Sequence, residues 1–346
     1  MTSRTRRFLF GSSLVLAVGL ATGLVAYYNG NLVFGSDSSG PADLVYLPAE
    51  TNGVAYADVR SIMASEFRQK LRQVMPDMGG EKDKLQQELG IDLERDIDSV
   101  LAGFLGIENH KGGIVLVRGR YNEISIEALA LQHGAKLETY RGKKLLLHDE
   151  FPSTGSGVAI HGEAPNVHVE KTTGGIAFLE PGLLAIGDSA AIKKGIDAAA
   201  DRKSVTANAE MVNYIADAQQ LGNAWVVGRF DAITSQANLP EQVKQHMPGV
   251  QWFVAAARVN GGIGGTLRAE AIDDKSADDL RQIVNGGLAA ARLFGGNDPK
   301  VEAMINSLQV TGTGRTVGVA FQITPEMIDT MIAIASGGPQ PRSNAR

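Results

Sequence analysis

Residues 8–36 form a 29-residue stretch without a charge, directly behind Arg4, Arg6 and Arg7; the next charge is Asp37. Its apolar heart runs from Phe8 through Leu14, Leu16, Leu20 and Leu24 to Tyr27 and Tyr28. As a helix, residues 8–28 match the ~30 Å of hydrocarbon in a bilayer. A segment of this kind does not fold into a water-facing body; it sits in lipid or is removed. Arginines before the span and none soon after it favour a cytoplasmic N-terminus. Everything from about Gly35 onward is then expected outside the cytoplasm, with the span in a bacterial inner membrane and the body in the periplasm.

Two readings of this segment compete. A cleaved signal peptide fits the basic start, an h-region over residues 8–20 and the small-x-small site Ala21-Thr22-Gly23. An uncleaved anchor fits the apolar run that continues past that site to Tyr27 and Tyr28, two residues suited to the membrane–water boundary. The length of the run favours the anchor. Thr5-Arg6-Arg7-Phe8-Leu9 lacks the spacer of a twin-arginine signal. Gly19 and Gly23 are four apart, a spacing that lets two spans approach closely, though small residues are common in spans. Residues 29–43 read as a linker, rich in Gly and Ser between Gly35 and Pro41.

Without anchor and linker about 300 residues remain of 346, enough for one large or two ordinary domains. Net charge is −5 and the leader contributes +3, so the rest carries −8. An acidic body argues against nucleic acid as partner, since phosphates require clustered Lys or Arg. The chain has no cysteine, which removes disulfides, thiolate metal sites and thiol catalysis.

Hydropathy along the body predicts alternating short strands and helices, an α+β fold with mostly antiparallel sheets. A strand is expected over residues 53–59. A helix should follow over residues 62–75, carrying Ile62, Met63, Phe67 and Leu71 and stopped by Pro76. Another is expected after Asp92, with Ile97, Val100, Leu101 and Phe104 as its stripe. Residues 113–120 read as a strand, and Ser125 opens a helix. Hairpins are expected at Arg141-Gly142, at Glu180-Pro181-Gly182 and at Asn260-Gly261-Gly262. A long helix covers residues 276–294 with Leu280, Ile283, Val284, Leu288 and Ala291 on one side. A last hairpin spans residues 308–324, followed by a helix begun by Thr324-Pro325. Residues 336–346 read as a disordered tail.

The two halves of the body, residues 44–205 and 206–335, resemble each other in order. Residues 54–62 match residues 224–233, with Ile62 and Ile233 171 apart; Ser125 matches Ser276, and Gly142 matches Gly314. Two similar α+β lobes follow, with a cleft or a shared sheet between them. Arg229 and Asp231 would pair with Asp58 and Arg60 across the lobe boundary.

Catalytic signatures are few. Gly-x-Ser-x-Gly, Ser-x-x-Lys and His-Glu-x-x-His do not occur. Residues 311–316 look like a phosphate loop but lack its first Gly and its Lys, and a tight hairpin explains them better. Gly261 to Gly265 lie between antiparallel strands, the wrong setting for a dinucleotide. Asp92, Glu94, Asp96 and Asp98 alternate like a calcium loop, but Ile97 stands where glycine is required. His161, Glu163, His168 and Glu170 form a metal-like cluster whose spacing matches no standard site. No cofactor or metal is therefore assigned. Trp225, Trp252 and Phe253 sit in strands, where packing is their expected role.

Residues 54–62, the phrase at residues 90–97 (Gly-Ile-Asp-Leu-Glu-Arg-Asp-Ile) and the glycine-rich hairpins together resemble an uncharacterised bacterial family of membrane-anchored extracytoplasmic proteins. The resemblance implies an N-terminal span and a duplicated α+β body, and carries over no catalytic residue. The expected function is a non-enzymatic, anchored binding or interaction protein in envelope maintenance. Its partner is then another envelope protein or a hydrophobic ligand. A hydrolase with an unrecognised site and a lipid carrier working between the lobes are the alternatives.

Overall fold

The computed structural model describes residues 41–69, 92–107, 110–152, 171–230, 249–294 and 305–327. They form one antiparallel sheet of twelve strands. In chain order the strands are β1 (Thr51–Ala57), β2 (Ile97–Ile107), β3 (His110–Gly119), β4 (Lys136–Tyr140), β5 (Lys143–Pro152), β6 (Lys171–Glu180), β7 (Leu183–Asp188), β8 (Ala224–Arg229), β9 (Val250–Val259), β10 (Ile263–Ala271), β11 (Gln309–Thr311) and β12 (Thr316–Ile323). Across the sheet they run β4-β5-β6-β7-β3-β2-β1-β8-β9-β10-β12-β11. The order therefore unfolds outward from the central β1–β8 pair. On one side β2 and β3 come next and β7 returns beside β3; on the other β9 and β10 come next and β12 returns beside β10. Of the two arrangements expected between the halves, the sheet is shared: β1 and β8 are hydrogen-bonded from Gly53–Gly228 to Ala57–Ala224.

Six helices lie whole within the described residues: α1 (Val59–Met63), α2 (Leu93–Asp96), α3 (Glu123–Gln132), α4 (Ser189–Asp201), α5 (Ala209–Leu221) and α6 (Asp274–Phe294). On face I, Ala191, Ile192 and Ile196 of α4 and Met211, Ile215 and Ala218 of α5 bury against Val54, Leu101, Leu116, Ala185, Val227 and Val254. The 3-10 segment Ala42–Tyr46 joins them through Leu44 and Tyr46. On face II, Val59 and Ile62 of α1 and Ile126 of α3 pack on Val100, Leu146, Phe178 and Leu184. The first turns of α6 reach the same face, where Ala277 buries with Ala271 and Val317.

The hairpins stand where the turn residues put them. Arg141 (φ 44°) and Gly142 (φ 77°) both take positive φ between β4 and β5, the conformation of a two-residue turn that matches strand twist. The residues 260–262 and 312–315 likewise join antiparallel neighbours, so both glycine-rich look-alikes are hairpins. At the second, Arg281 donates to the carbonyls of Gly314 and Thr316, a cation on acceptors rather than an anion on N–H groups.

Four expectations are corrected. Residues 97–107 are strand β2 and not a helix: Val100, Leu101, Ala102 and Leu105 are all buried, because both faces of a central strand are covered. The helix expected from Ile62 onward breaks at Ala64–Ser65. Ser65 Oγ accepts from the Arg68 N–H at 3.2 Å and starts a separate turn at residues 66–69. Gly314 does not correspond to Gly142. It turns β11 into β12, the partner of β10, so its topological counterpart is Gly182, which turns β6 into β7, the partner of β3. Arg229 cannot meet Asp58 either. Antiparallel pairing puts Asp58 just past Ala57–Ala224 and Arg229 five residues down β8, roughly 17 Å away. Arg60 instead pairs with Asp98.

The span with Arg4, Arg6, Arg7, Phe8, Leu14, Leu16, Leu20, Leu24, Tyr27 and Tyr28 lies outside the described residues, as do the tail, Asp231 and the cluster from His161 to Glu170. Among the described residues, no helix is long and apolar enough to cross a membrane.

Candidate binding face

Successive side chains on a strand point to opposite faces, so register decides which residues form a row across the sheet. On face II one row is apolar on all twelve strands. Leu137 lies opposite Leu146, which lies opposite Ile176, then Ile186, then Val115. Val115 faces Ala102, which faces Ala55 on β1. Ala55 faces Val226 across the centre, and the row continues through Ala255, Leu267, Val319 and Val310. At ~4.8 Å between strands the row is roughly 53 Å long. Its members are not uniformly covered. Ala55, Ala102 and Ala255 are buried, whereas Val115, Ile176, Ile186, Val226 and Leu267 are half-buried and Leu137 is 49% exposed.

Beside this row, at the centre of the sheet, lies a notch. Gly53 faces Gly228, Phe104 flanks Gly53 on β2, and Phe253 flanks Gly228 on β9. Both phenylalanines are half-buried. The two glycines remove side chains from the floor between the rings, and Ala55, Ala102 and Ala255 keep the neighbouring row shallow. The centre of the face is thus built of small, buried residues: Gly53, Gly228, Ala55, Ala102 and Ala255 are all buried, a Cβ at Gly53 would lie 3.4 Å from the Phe104 ring, and neither row carries a charged side chain between Phe104 and Phe253.

Face I at the same strands is closed. Trp225 is 3% exposed and stacks on Tyr56 with centroids 5.4 Å apart; Trp252 is 2% exposed and tilts against Tyr214 at 5.1 Å. Both tryptophans therefore serve packing, as expected for their strands. The aromatic filling of face I supports the thin floor of face II from behind.

Polar groups gather at the end of the sheet where β1 stops. Asn223, 2% exposed, donates from Nδ2 to Ser61 Oγ (2.8 Å) and to the Val259 carbonyl (3.0 Å), and accepts from the Val259 N–H (2.9 Å). Its carbonyl accepts from the Asp58 N–H at 2.8 Å. Asp58 caps α1 by accepting from the Ser61 N–H at 3.2 Å. Burial pushes its carboxyl from the ordinary 3.8 up to about 6, against the opposing pull of Arg60. A carboxyl raised by folding is comfortable when neutral, so its contribution to stability is full below about pH 4 and is lost as pH rises through about 6. Asp58→Asn keeps a capping oxygen. It should flatten the stability profile between pH 4 and 6, read as urea midpoints; an unchanged slope would refute the assignment.

A second cluster fixes the point where the chain enters the fold. Asp43, 6% exposed, pairs with Arg118 through both guanidinium Nε (3.1 Å) and a terminal nitrogen. The Tyr46 hydroxyl donates to Glu180 Oε1 at 2.8 Å, and Glu180 lies 3.6 Å from Arg118. Burial, then the Glu180 carboxylate, push the Tyr46 phenol above its ordinary range.

Three of the calcium-like acids, Asp92, Asp96 and Asp98, are committed elsewhere. Asp96 accepts from the Asp92 N–H at 2.8 Å, Asp92 pairs with Arg95 at 2.6 Å, and Asp98 pairs with Arg60. Among the described residues, no group of three or more His, Asp or Glu is placed to hold a metal.

No family model matches the chain, and no curated protein matches it in sequence. Among solved structures, crystal form I of TP0453 is similar at 10% identity, covering 86% of this chain and 99% of that one, with a TM-score of 0.44. Crystal form IV of TP0453 gives 10% identity, 84% and 96% coverage and a TM-score of 0.45.

Proposed function

We propose that this chain is an extracytoplasmic binding protein, held at the bacterial inner membrane by the span at residues 8–28, that takes a hydrophobic ligand on face II of its sheet. The observation that carries the reading is the apolar row with its notch at Phe104, Gly53, Gly228 and Phe253, where half-buried apolar side chains surround a floor of Gly and Ala. Half-covered apolar area is a standing cost of ~25 cal/mol per Å², and a ligand chain laid on it gains ~0.8 kcal/mol per buried CH₂. The alternative hydrolase has no support in the geometry described, and its one metal-like cluster, residues 161–170, lies outside the described residues.

The strand order supports a duplicated body of two similar lobes. Each half supplies a central strand, two further strands and a returning fourth, and α3 and α6 occupy matching places after β3 and β10. The β4–β5 hairpin is then an insertion in the first lobe; it lies after Ser125, so the drop in offset from 171 at Ile62 and Ile233 to 151 at Ser125 and Ser276 belongs to an earlier insertion in the same lobe. Location in the periplasm and a role in envelope maintenance follow the resemblance to anchored extracytoplasmic proteins.

The test is extraction of the full chain from membranes in mild detergent, mass spectrometry of what it carries, and titration with a fluorescent fatty-acid analogue. A stoichiometric apolar molecule, displaced by the analogue with saturable binding, is the expected result. Absence of a bound molecule together with non-saturable analogue binding would overturn the reading.

A further inference from the structure

The sheet covers little of the helix α6 beyond its start. At 21 residues it is ~31 Å long. Its first two turns are seated: Ala277 is fully buried, and Arg281 pairs with Asp278 at 3.0 Å and holds the β11–β12 turn. Beyond that, Ile283 is 54% and Leu293 81% exposed, and Gly286, Gly287 and Ala289 are exposed beside them. A Cβ at Gly286 or Gly287 would meet nothing within 4 Å. Glycine inside a helix costs ~1 kcal/mol against alanine, so the fold itself has no use for this pair. From Leu280 to Asn297 the chain carries Arg281 and Arg292 and no acid, within a body of net charge −8.

We infer that the outer side of the second half of α6 rests on the lipid bilayer of the anchored protein. The inference rests on reading residues 8–28 as an uncleaved span. Twelve residues, 29–40, then separate the span from Pro41, and fully extended they reach at most ~40 Å. The body is thus held at the membrane surface, where its acidic exterior is repelled by anionic lipid. Between Ile283 and Leu293 that side carries no charge, since Arg292 is nine residues from Ile283 and so points the opposite way round the helix; an apolar, uncharged helix side is the part of this acidic body that lipid accepts. Apolar side chains of 54% and 81% exposure then find a partner that the sheet does not provide.

The chain has no cysteine, so single labels are clean. Full-length Ile283→Cys, Leu293→Cys and Lys275→Cys proteins would each carry a nitroxide and be reconstituted into vesicles of phosphatidylcholine and phosphatidylglycerol. Lys275, on the polar start of the same helix, is the control. Collisions with oxygen report lipid, and those with a water-soluble nickel chelate report water. The expected result is a loss of nickel collisions at positions 283 and 293 with gain of oxygen collisions, while position 275 stays in water. Protein that floats with vesicles after an alkaline wash but shows all three labels equally open to nickel would overturn the helix contact and leave the anchor standing. Protein that fails to float would overturn the anchor reading, and the contact with it.

Discussion

Asn223→Ala should cost the folded body ~3–5 kcal/mol, because it strips partners from several buried groups at once. The side chain satisfies the Val259 N–H, the Val259 carbonyl and the Ser61 hydroxyl within 3.0 Å, at a position only 2% exposed. Alanine leaves those groups without a hydrogen bond in a place water does not reach, and each orphaned group costs ~1–3 kcal/mol. The loss is a large part of a domain's typical ~5–15 kcal/mol. It falls on a junction: Asn223 ties the start of α1, through Ser61 and Asp58, to the ends of β8 and β9, so both halves of the sheet loosen together. Urea denaturation followed by circular dichroism checks it. A midpoint shift worth under 1 kcal/mol would show that the three bonds do not act as described. Asn208 is the contrast. It caps α5 with one bond to the Met211 N–H, and Asn208→Ala should cost only ~1 kcal/mol.

The sequence carried the elements wherever local signals decide them. Arg141-Gly142 requires a turn that only positive φ satisfies, and Asn260-Gly261-Gly262 joins β9 to β10 as its turn residues demand. It misled where burial on both faces erases the period of two. In β2, Val100, Leu101 and Ala102 are consecutive and buried, and such a run has no stripe to distinguish strand from helix. The Ile62–Met75 stripe misled for another reason: a single hydroxyl at Ser65 ends one helix and begins the next, and hydropathy does not register that. The candidate face was not legible at all. Gly53 and Gly228 are ordinary strand glycines 175 positions apart, and only the β1–β8 register sets them side by side between Phe104 and Phe253. Strand alternation does give each residue's face once the strands are known. The missing information is which strands are neighbours, a property of long-range pairing that one sequence does not print. The same limit explains the Arg229–Asp58 error, since an alignment of repeats says which residues correspond but not that antiparallel pairing sends them to opposite ends.

Val226→Asp should abolish binding of the fluorescent fatty-acid analogue to the full-length protein. Val226 is the half-buried member of the central row, between Ala55 and Ala255, two residues along β8 from the Gly228 floor of the notch. A ligand chain laid across the row would have to cover the new carboxylate. Burying a charge without a partner far exceeds what a few methylenes return, so a loss of at least ~2.8 kcal/mol, about a hundredfold in Kd, is expected. Without ligand the carboxylate keeps its water, because the position is half-open, and the urea midpoint should move much less than in Asn223→Ala. That separation distinguishes a binding defect from an unfolded sheet. Val226→Thr refines the point. It holds the volume and exchanges one methyl for a hydroxyl, so binding should weaken only severalfold, on the order of 1 kcal/mol. If Val226→Asp remained folded and bound the analogue as the parent does, the ligand would not lie on this row. The apolar crossing of twelve strands would then be no more than the incompletely covered side of a packed sheet.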